Sequence, residues 1–281
     1  MRPRAPVRCA GVRSVGARAV VAAVLGAVLA LGGCGSSLGA AGGADPRGRA
    51  SSEDSGELRV YAAASLEPVL DDLTAAARTA HPELAFAPVT YAGSSTLAAQ
   101  VVEGAHPDVL VTADDATMQT VVDAGLVVGD PTTVATNTLQ VVVPAGNPQS
   151  VTSLADLAAL SDGGGTVITC DVQVPCGAAT ARLLSAAGVS LTPASLEQSV
   201  TAVLAKVSAG EADAGVVYRT DVLRARGAVE GVDVPEASGV VTAYPAAVLA
   251  DAAPSAATFV DFLVSDEGQA LLAARGFGPG R

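Results

Sequence analysis

The chain has 281 residues, 28 of them acidic and 16 basic, for a formal charge of −12, and 50% of its residues are hydrophobic. All 28 acidic residues but only 11 of the basic ones follow residue 34, which leaves that part of the chain at −17. It has no basic stripe, no aromatic cluster and no Trp, which excludes nucleic-acid binding as a function class.

Residues 1–33 read as a lipoprotein signal peptide. Arg2, Arg4, Arg8, Arg13 and Arg18 form a basic start without an acidic residue. The apolar run Ala19–Leu31 that follows is too short to span a bilayer as an ordinary helix. Leu31-Gly32-Gly33-Cys34 resembles the lipobox of bacterial lipoproteins, whose cysteine is lipidated and becomes the mature N-terminus. The plainer alternative is a secretory signal with an incidental cysteine. A lipid at Cys34 would hold the protein to a membrane surface without spanning it. From residue 34 to 56 the chain is rich in Gly, Ser and Ala, the composition of a flexible tether with a reach of about 26 Å.

The folded part is expected from Glu57 onward and is long enough for two lobes. Strand and helix patterns alternate along it, which predicts an α/β fold. Strands are expected at Leu58–Ala63, Leu84–Tyr91 and Asp108–Ala113, with helices at Glu67–Thr79, Ser95–Glu103 and Asp115–Ala124 between and after them. The β-branched run Thr138–Pro144 predicts a further strand, and Ser153 is the expected N-cap of a helix over Leu154–Leu160. Strands at Thr166–Thr169 and Ala214–Tyr218 then alternate with helices at Gly177–Ala187 and Val200–Ala209, each stopped by a glycine. A strand at Val240–Leu249 and helices at Ser255–Leu263 and Asp266–Ala274 complete the pattern. Ligand sites in open α/β sheets lie at the carboxyl ends of the strands.

Four segments place small or hydroxyl residues where helices begin: Ala62–Leu66, Gly93–Leu97, Val174–Gly177 and Gln198–Thr201. Each alone is an ordinary cap, but unpaired N–H groups and the positive end of the helix dipole also make a helix start an anion site. Of the cysteines, only Cys170 and Cys176 lie in the folded part, and an isolated pair in an exported protein is most simply a disulfide. Two cysteines alone make a poor metal site, and none is expected. Asp114-Asp115 is explained by helix capping. His81 and His106 precede prolines in apparent surface loops, and nothing pairs them with a G-x-S-x-G nucleophile elbow. Arg219 is expected to form a surface or hinge salt bridge, because it follows Tyr218 on a strand and faces away from it.

Taken in order, Tyr61–Leu66, Gly93–Gln100, Pro107–Asp114, Asn137–Val143, Gly215–Tyr218, Tyr244-Pro245 and Gly268 through Phe277 resemble the periplasmic-type molybdate-binding proteins of ABC importers. That resemblance covers nearly all of residues 57–278. It implies a type II periplasmic-binding-protein fold of two lobes, each a mostly parallel sheet flanked by helices, closing on the anion like a trap. The lobes would comprise residues 57–137 with 235–281, and 138–234.

Carried over position by position, the resemblance nominates the hydroxyls of Ser65 and Ser94, the phenol of Tyr218 and the backbone N–H groups of Cys176 and Val200 as ligands of the oxyanion. The family often has alanine where this chain has Cys176, and a disulfide to Cys170 would stiffen the loop that presents its N–H. The implied ligand is molybdate or tungstate, with no cofactor, and the implied partner is an ABC permease served by a monomer at the cell surface or in a periplasm. Sulfate or another dianion is the alternative within binding proteins. An exported serine hydrolase is the alternative outside them, and it lacks a base.

Overall fold

The structure, a computed structural model, describes residues 56–280; the expected signal peptide, the Cys34 lipidation site and the tether to residue 55 lie outside the described residues. Ten strands form one sheet, β1 (Val60–Ala63), β2 (Thr90–Ala92), β3 (Val109–Val111), β4 (Val127–Pro144), β5 (Val167–Cys170), β6 (Ser195–Glu197), β7 (Ala214–Tyr218), β8 (Val229–Val232), β9 (Val241–Leu249) and β10 (Gly278–Pro279). The helices are α1 (Glu67–Ala80), α2 (Ser94–Val102), α3 (Asp115–Asp123), α4 (Leu154–Asp162), α5 (Pro175–Ala187), α6 (Val200–Ser208), α7 (Arg219–Arg224), α8 (Ala256–Val264) and α9 (Asp266–Ala274).

The strand order β2-β1-β3-β9-β4-β7-β5-β6 contains two parallel triplets, β2-β1-β3 and β7-β5-β6. Between them lie β9 and β4, antiparallel to each other and to their outer neighbours. β4 makes this arrangement possible. Its first part pairs with β9 and its last residues with β7 and β8, so one 18-residue strand runs from one half of the sheet into the other.

The buried apolar side chains divide in the same way. One cluster draws on residues from Leu139 to Val240. A second runs from Leu58 to Ala135 and resumes at Tyr244, and a third lies beneath α2 and α3. α1 shows how the helices contribute: Val69, Leu70, Leu73 and Ala77 recur at helical spacing and are buried against the sheet. Strand β7 is buried along its whole length, as a parallel-type strand covered on both faces must be.

Several boundaries differ from expectation for identifiable reasons. The predicted strand Leu84–Tyr91 pairs only through an isolated bridge at Phe86 and then at Thr90–Ala92. Pro88 between them has no N–H for a ladder. The predicted strand Thr138–Pro144 is the end of the much longer β4, whose first half is masked in sequence by Gly129, Asp130 and Pro131 and carries two register shifts. Arg219 is not on a strand: β7 ends at Tyr218 and Arg219 opens α7. The salt bridge itself is present, exposed, to Asp233 at 3.0 Å. Short β6 and β8 carry too few residues to show a period. The caps at Ser153 and Asp114 accept from Asp156 and Thr117 N–H groups as expected.

Phe259 is fully buried and meets Phe86 edge-on at 4.8 Å. Phe259→Ala is expected to cost about 3–5 kcal/mol, read as a lower midpoint in denaturant unfolding.

Candidate functional site

Helix starts from both halves of the sheet converge on one small cavity. It is lined by Ser65 at the turn into α1, Gly93 and Ser94 at the start of α2, Pro175 and Cys176 opening α5, Ser199 and Val200 opening α6, and Tyr218 at the end of β7. The five residues nominated from sequence are therefore brought together: Ser65, Ser94, Cys176, Val200 and Tyr218 all border it, and all are buried. Sequence distance gave no hint of this proximity. The strands end here, and the connections between strands and helices supply the walls.

Each donor has a local reason to face the cavity. At Ser94, the Ala113 N–H donates to Oγ at 3.0 Å, so the hydroxyl proton is left for another acceptor. Pro175 has no N–H, which makes Cys176 the first N–H of α5, where no intrahelical acceptor exists. Val200 is the first residue of α6, behind Ser199, whose Oγ accepts from the Ala202 N–H at 3.3 Å. The Ser199 side chain satisfies that later N–H, and the Val200 N–H remains for a ligand.

Tyr218 is the most telling member. Its ring is buried and, among the described residues, its phenol oxygen has no hydrogen-bond partner. A buried hydroxyl without a partner costs roughly 1–3 kcal/mol and calls for an explanation. Burial above all, with Tyr244, Asp221 and Asp114 adding and Arg182 opposing, holds this phenol well above the ordinary tyrosine range, so it stays a donor. Asp221 accepts the Tyr218 backbone N–H at 3.1 Å and the Arg224 Nε–H at 3.1 Å. Burial pushes the Asp221 carboxyl up to about 6, against the pull of Arg224 and the Tyr218 N–H.

No charged side chain lines the cavity. The cavity is small, about 20 Å³, close to what one enclosed water needs. Pockets for organic ligands run to several hundred Å³. Two larger cavities adjoin it. One of about 680 Å³ shares Ser65 and is lined by Arg224, Arg226 and Arg275; the other, of about 510 Å³, shares Val174 and is lined by Asp114 and Glu103.

The walls are braced across the cleft. Cys170 at the end of β5 and Cys176 in the first turn of α5 form a disulfide, with Cα atoms 5.7 Å apart. This closes the loop Asp171–Pro175 that leads into the Cys176 N–H. Ser95 Oγ donates to the Gln173 carbonyl at 2.7 Å and ties α2 to that loop. A Cβ on Gly93 would overlap the Gln198 carbonyl oxygen, so the approach of α2 to the α6 turn requires glycine.

Asn137, Thr220 and Tyr244 surround the site without having been singled out as site residues. Ser65 Oγ lies 2.9 Å from the Tyr244 hydroxyl, and Asn137 Nδ2 donates to Thr220 Oγ1 at 2.9 Å and to Tyr244 at 3.3 Å. Asn137-Thr138 and Tyr244-Pro245 belonged to the resemblance, but nothing local to them signals a place beside Ser65. Neither histidine is near: His81 faces Glu83 at 3.6 Å and His106 faces Asp251 at 3.7 Å. The side-chain partners of Ser65 and Ser94 are a phenol and a backbone N–H, neither of which is a general base.

Known proteins agree with this architecture. A family model described as bacterial extracellular solute-binding protein matches residues 58–278. The molybdate-binding protein ModA of Mycobacterium tuberculosis is 43% identical over 222 residues, covering 78% of this chain and 83% of that protein. Among solved structures, the periplasmic molybdate-binding protein of Azotobacter vinelandii superposes with a TM-score of 0.66 at 21% identity, covering 79% of this chain and 98% of the other. The sulfate-binding protein SubI of Mycobacterium tuberculosis gives 0.67 at 20% identity, covering 79% and 86%. With the family model spanning nearly all of the described residues and the fold shared as well, this chain belongs to the bacterial extracellular solute-binding proteins.

Proposed function

We propose that the protein captures molybdate, and tungstate with it, in the cavity between Ser65, Ser94, Cys176, Val200 and Tyr218, and delivers it to an ABC permease. The buried, unpartnered phenol of Tyr218 beside the free ends of three helices carries this reading. An ionised dianion has only acceptors, and the hydroxyls of Ser65 and Ser94, the Tyr218 phenol and the first N–H groups of α5 and α6 can all donate to it. Hydrogen bonds to a charged group contribute roughly 1.5–3 kcal/mol each, which lets neutral dipoles replace a counter-charge. A protonated oxyanion would bring a donor and find no acceptor. The choice of molybdate draws on the 43% identical relative of that name.

The lobes are proposed to be residues 57–137 with 235–281, and 138–234, hinged where β4 and β9 pass between the two halves. Because Ala237 and Val240 pack with the cluster that begins at Leu139, the return crossing is better drawn at Val241. Closure would be favoured by the anion touching both lobes. The proposed setting is the outer face of the cytoplasmic membrane, as a monomer held by lipid on Cys34. Among the described residues no helix is long and apolar enough to cross a membrane. We read the protein as a carrier and not an enzyme, since Ser65, Ser94 and Ser199 are bonded to hydroxyls and backbone N–H groups and not to a general base.

A second reading, sulfate or another tetrahedral dianion as ligand, draws on the fold shared with SubI. Titration calorimetry with molybdate, tungstate, sulfate and phosphate separates the two: molybdate and tungstate should bind tightest, and sulfate binding as tightly would overturn the assignment. Tyr218→Phe and Ser94→Ala should each weaken molybdate by about 1–3 kcal/mol in the same titrations, and unchanged affinity in both would place the site elsewhere. Because the Tyr218 phenol is held above its usual range, molybdate affinity should stay level from about pH 8 to 10; a fall centred near the ordinary tyrosine value would contradict a buried donor. Gly93→Ala should weaken binding at least about tenfold in the same titrations, because its methyl group blocks the approach of α2 to Gln198.

A further inference from the structure

We infer that Asn137 and Tyr244 are positioning residues that fix the direction of the Ser65 hydroxyl, making it a donor to the bound anion and setting selectivity against protonated oxyanions. The inference rests on the anion-binding reading of the cavity and adds to it a specificity device outside its walls.

The direction follows from one backbone contact. The Thr138 N–H donates to Asn137 Oδ1 at 2.9 Å, which assigns the oxygen of that amide and leaves Nδ2 pointing the other way. Nδ2 has only protons to give, and it gives them to Thr220 Oγ1 and to the Tyr244 hydroxyl oxygen. Among the described residues the Tyr244 hydroxyl has two partners, Asn137 Nδ2 and Ser65 Oγ. Since Asn137 can accept nothing through Nδ2, the Tyr244 proton goes to Ser65 Oγ. Burial keeps that phenol protonated, and Asn137, Thr220, Tyr244 and Ser65 are all buried, which holds the four groups to one another. Ser65 then has one acceptor position filled from behind and one proton left over, on the residue that borders the cavity.

Ser94 is oriented by the same logic through a backbone donor, the Ala113 N–H. The two serines thus reach the same polarity by different routes. The Ser94 route is part of the main chain and does not depend on a side chain. The Ser65 route runs through two side chains that sit where β4 and β9 cross between the halves, and it can be altered. Without the Tyr244 hydroxyl, Ser65 is free to turn and accept a proton from a ligand such as hydrogen phosphate.

Tyr244→Phe tests this in the intact chain. It keeps the ring that packs edge-on against Tyr218 at 6.0 Å and Phe277 at 5.5 Å, and a thermal melt verifies the fold. Affinities for molybdate, sulfate and phosphate are measured by calorimetry at mildly alkaline pH, where phosphate keeps one proton. The variant should bind molybdate about 3- to 10-fold more weakly and hydrogen phosphate no more weakly, shrinking the ratio between them about tenfold or more. In a Ser65→Ala background the same substitution should change that ratio less than about twofold, because Tyr244 acts through Ser65. Equal weakening of all anions, an unchanged ratio, or a full effect in the Ser65→Ala background would overturn the inference. If sulfate and not molybdate is the tight ligand of the wild type, the molybdate assignment falls while the ratio of sulfate to hydrogen phosphate scores the relay in its place. A wild type that binds none of the three overturns the anion reading before any variant is compared.

Discussion

Holding a dianion away from water without a single charged side chain at its surface is the constraint that organises this molecule. Fixed dipoles must do what a counter-ion would do, and they work only if they are already aimed and dry when the anion arrives. In the proposed site, the three helix starts at Ser94, Cys176 and Val200 would meet that demand because backbone N–H groups there have no helical acceptor. The hydroxyls of Ser65 and Ser94, each with one neighbour of its own, and the buried phenol of Tyr218 would add to it. An acceptor placed among them would weaken the whole set.

The sheet explains how these groups come to lie together. Two parallel triplets run their carboxyl ends to the same region, and each strand end is followed closely by a helix start. β4 and β9 join the triplets and carry Asn137 and Tyr244 on the joining strands, so the polar network behind Ser65 sits where the halves meet. The disulfide between Cys170 and Cys176 fits the same requirement. It holds the short loop that aims the first N–H of α5, a position where proline already removes the competing N–H before it. Gly93 completes the set by allowing a carbonyl from the α6 turn to come closer than any side chain permits.

Under the proposed function, polarity and size would divide the work of selection. A set of donors would separate ionised from protonated oxyanions through unmatched protons, a difference of kind. A small cavity would disfavour organic solutes and grade the remaining tetrahedral anions by fit, a difference of degree. The adjoining arginine-lined and acid-lined cavities show that the surroundings of the cleft are not electrically uniform, in a chain whose folded part is strongly acidic.

Local chemistry was legible in the sequence wherever a short segment settles its own conformation. The caps at Asp114 and Ser153, the glycine stops at Gly188 and Gly210, the alternation of strands and helices, and the pairing of Cys170 with Cys176 all follow from nearest neighbours or from composition. The donor residues were legible only through an ordered resemblance, since a serine at a helix start reads equally well as a cap. Tertiary structure alone decided that β4 is one long strand through Gly129–Pro131, because pairing with β9 on both sides of a register shift there outweighs the turn preference of those residues. It also decided that Asn137, Thr220 and Tyr244 stand behind Ser65, up to 179 residues apart in the chain. Hydrogen-bond direction is a property of a closed network, and a network closes only once strands from distant parts of the sequence lie side by side.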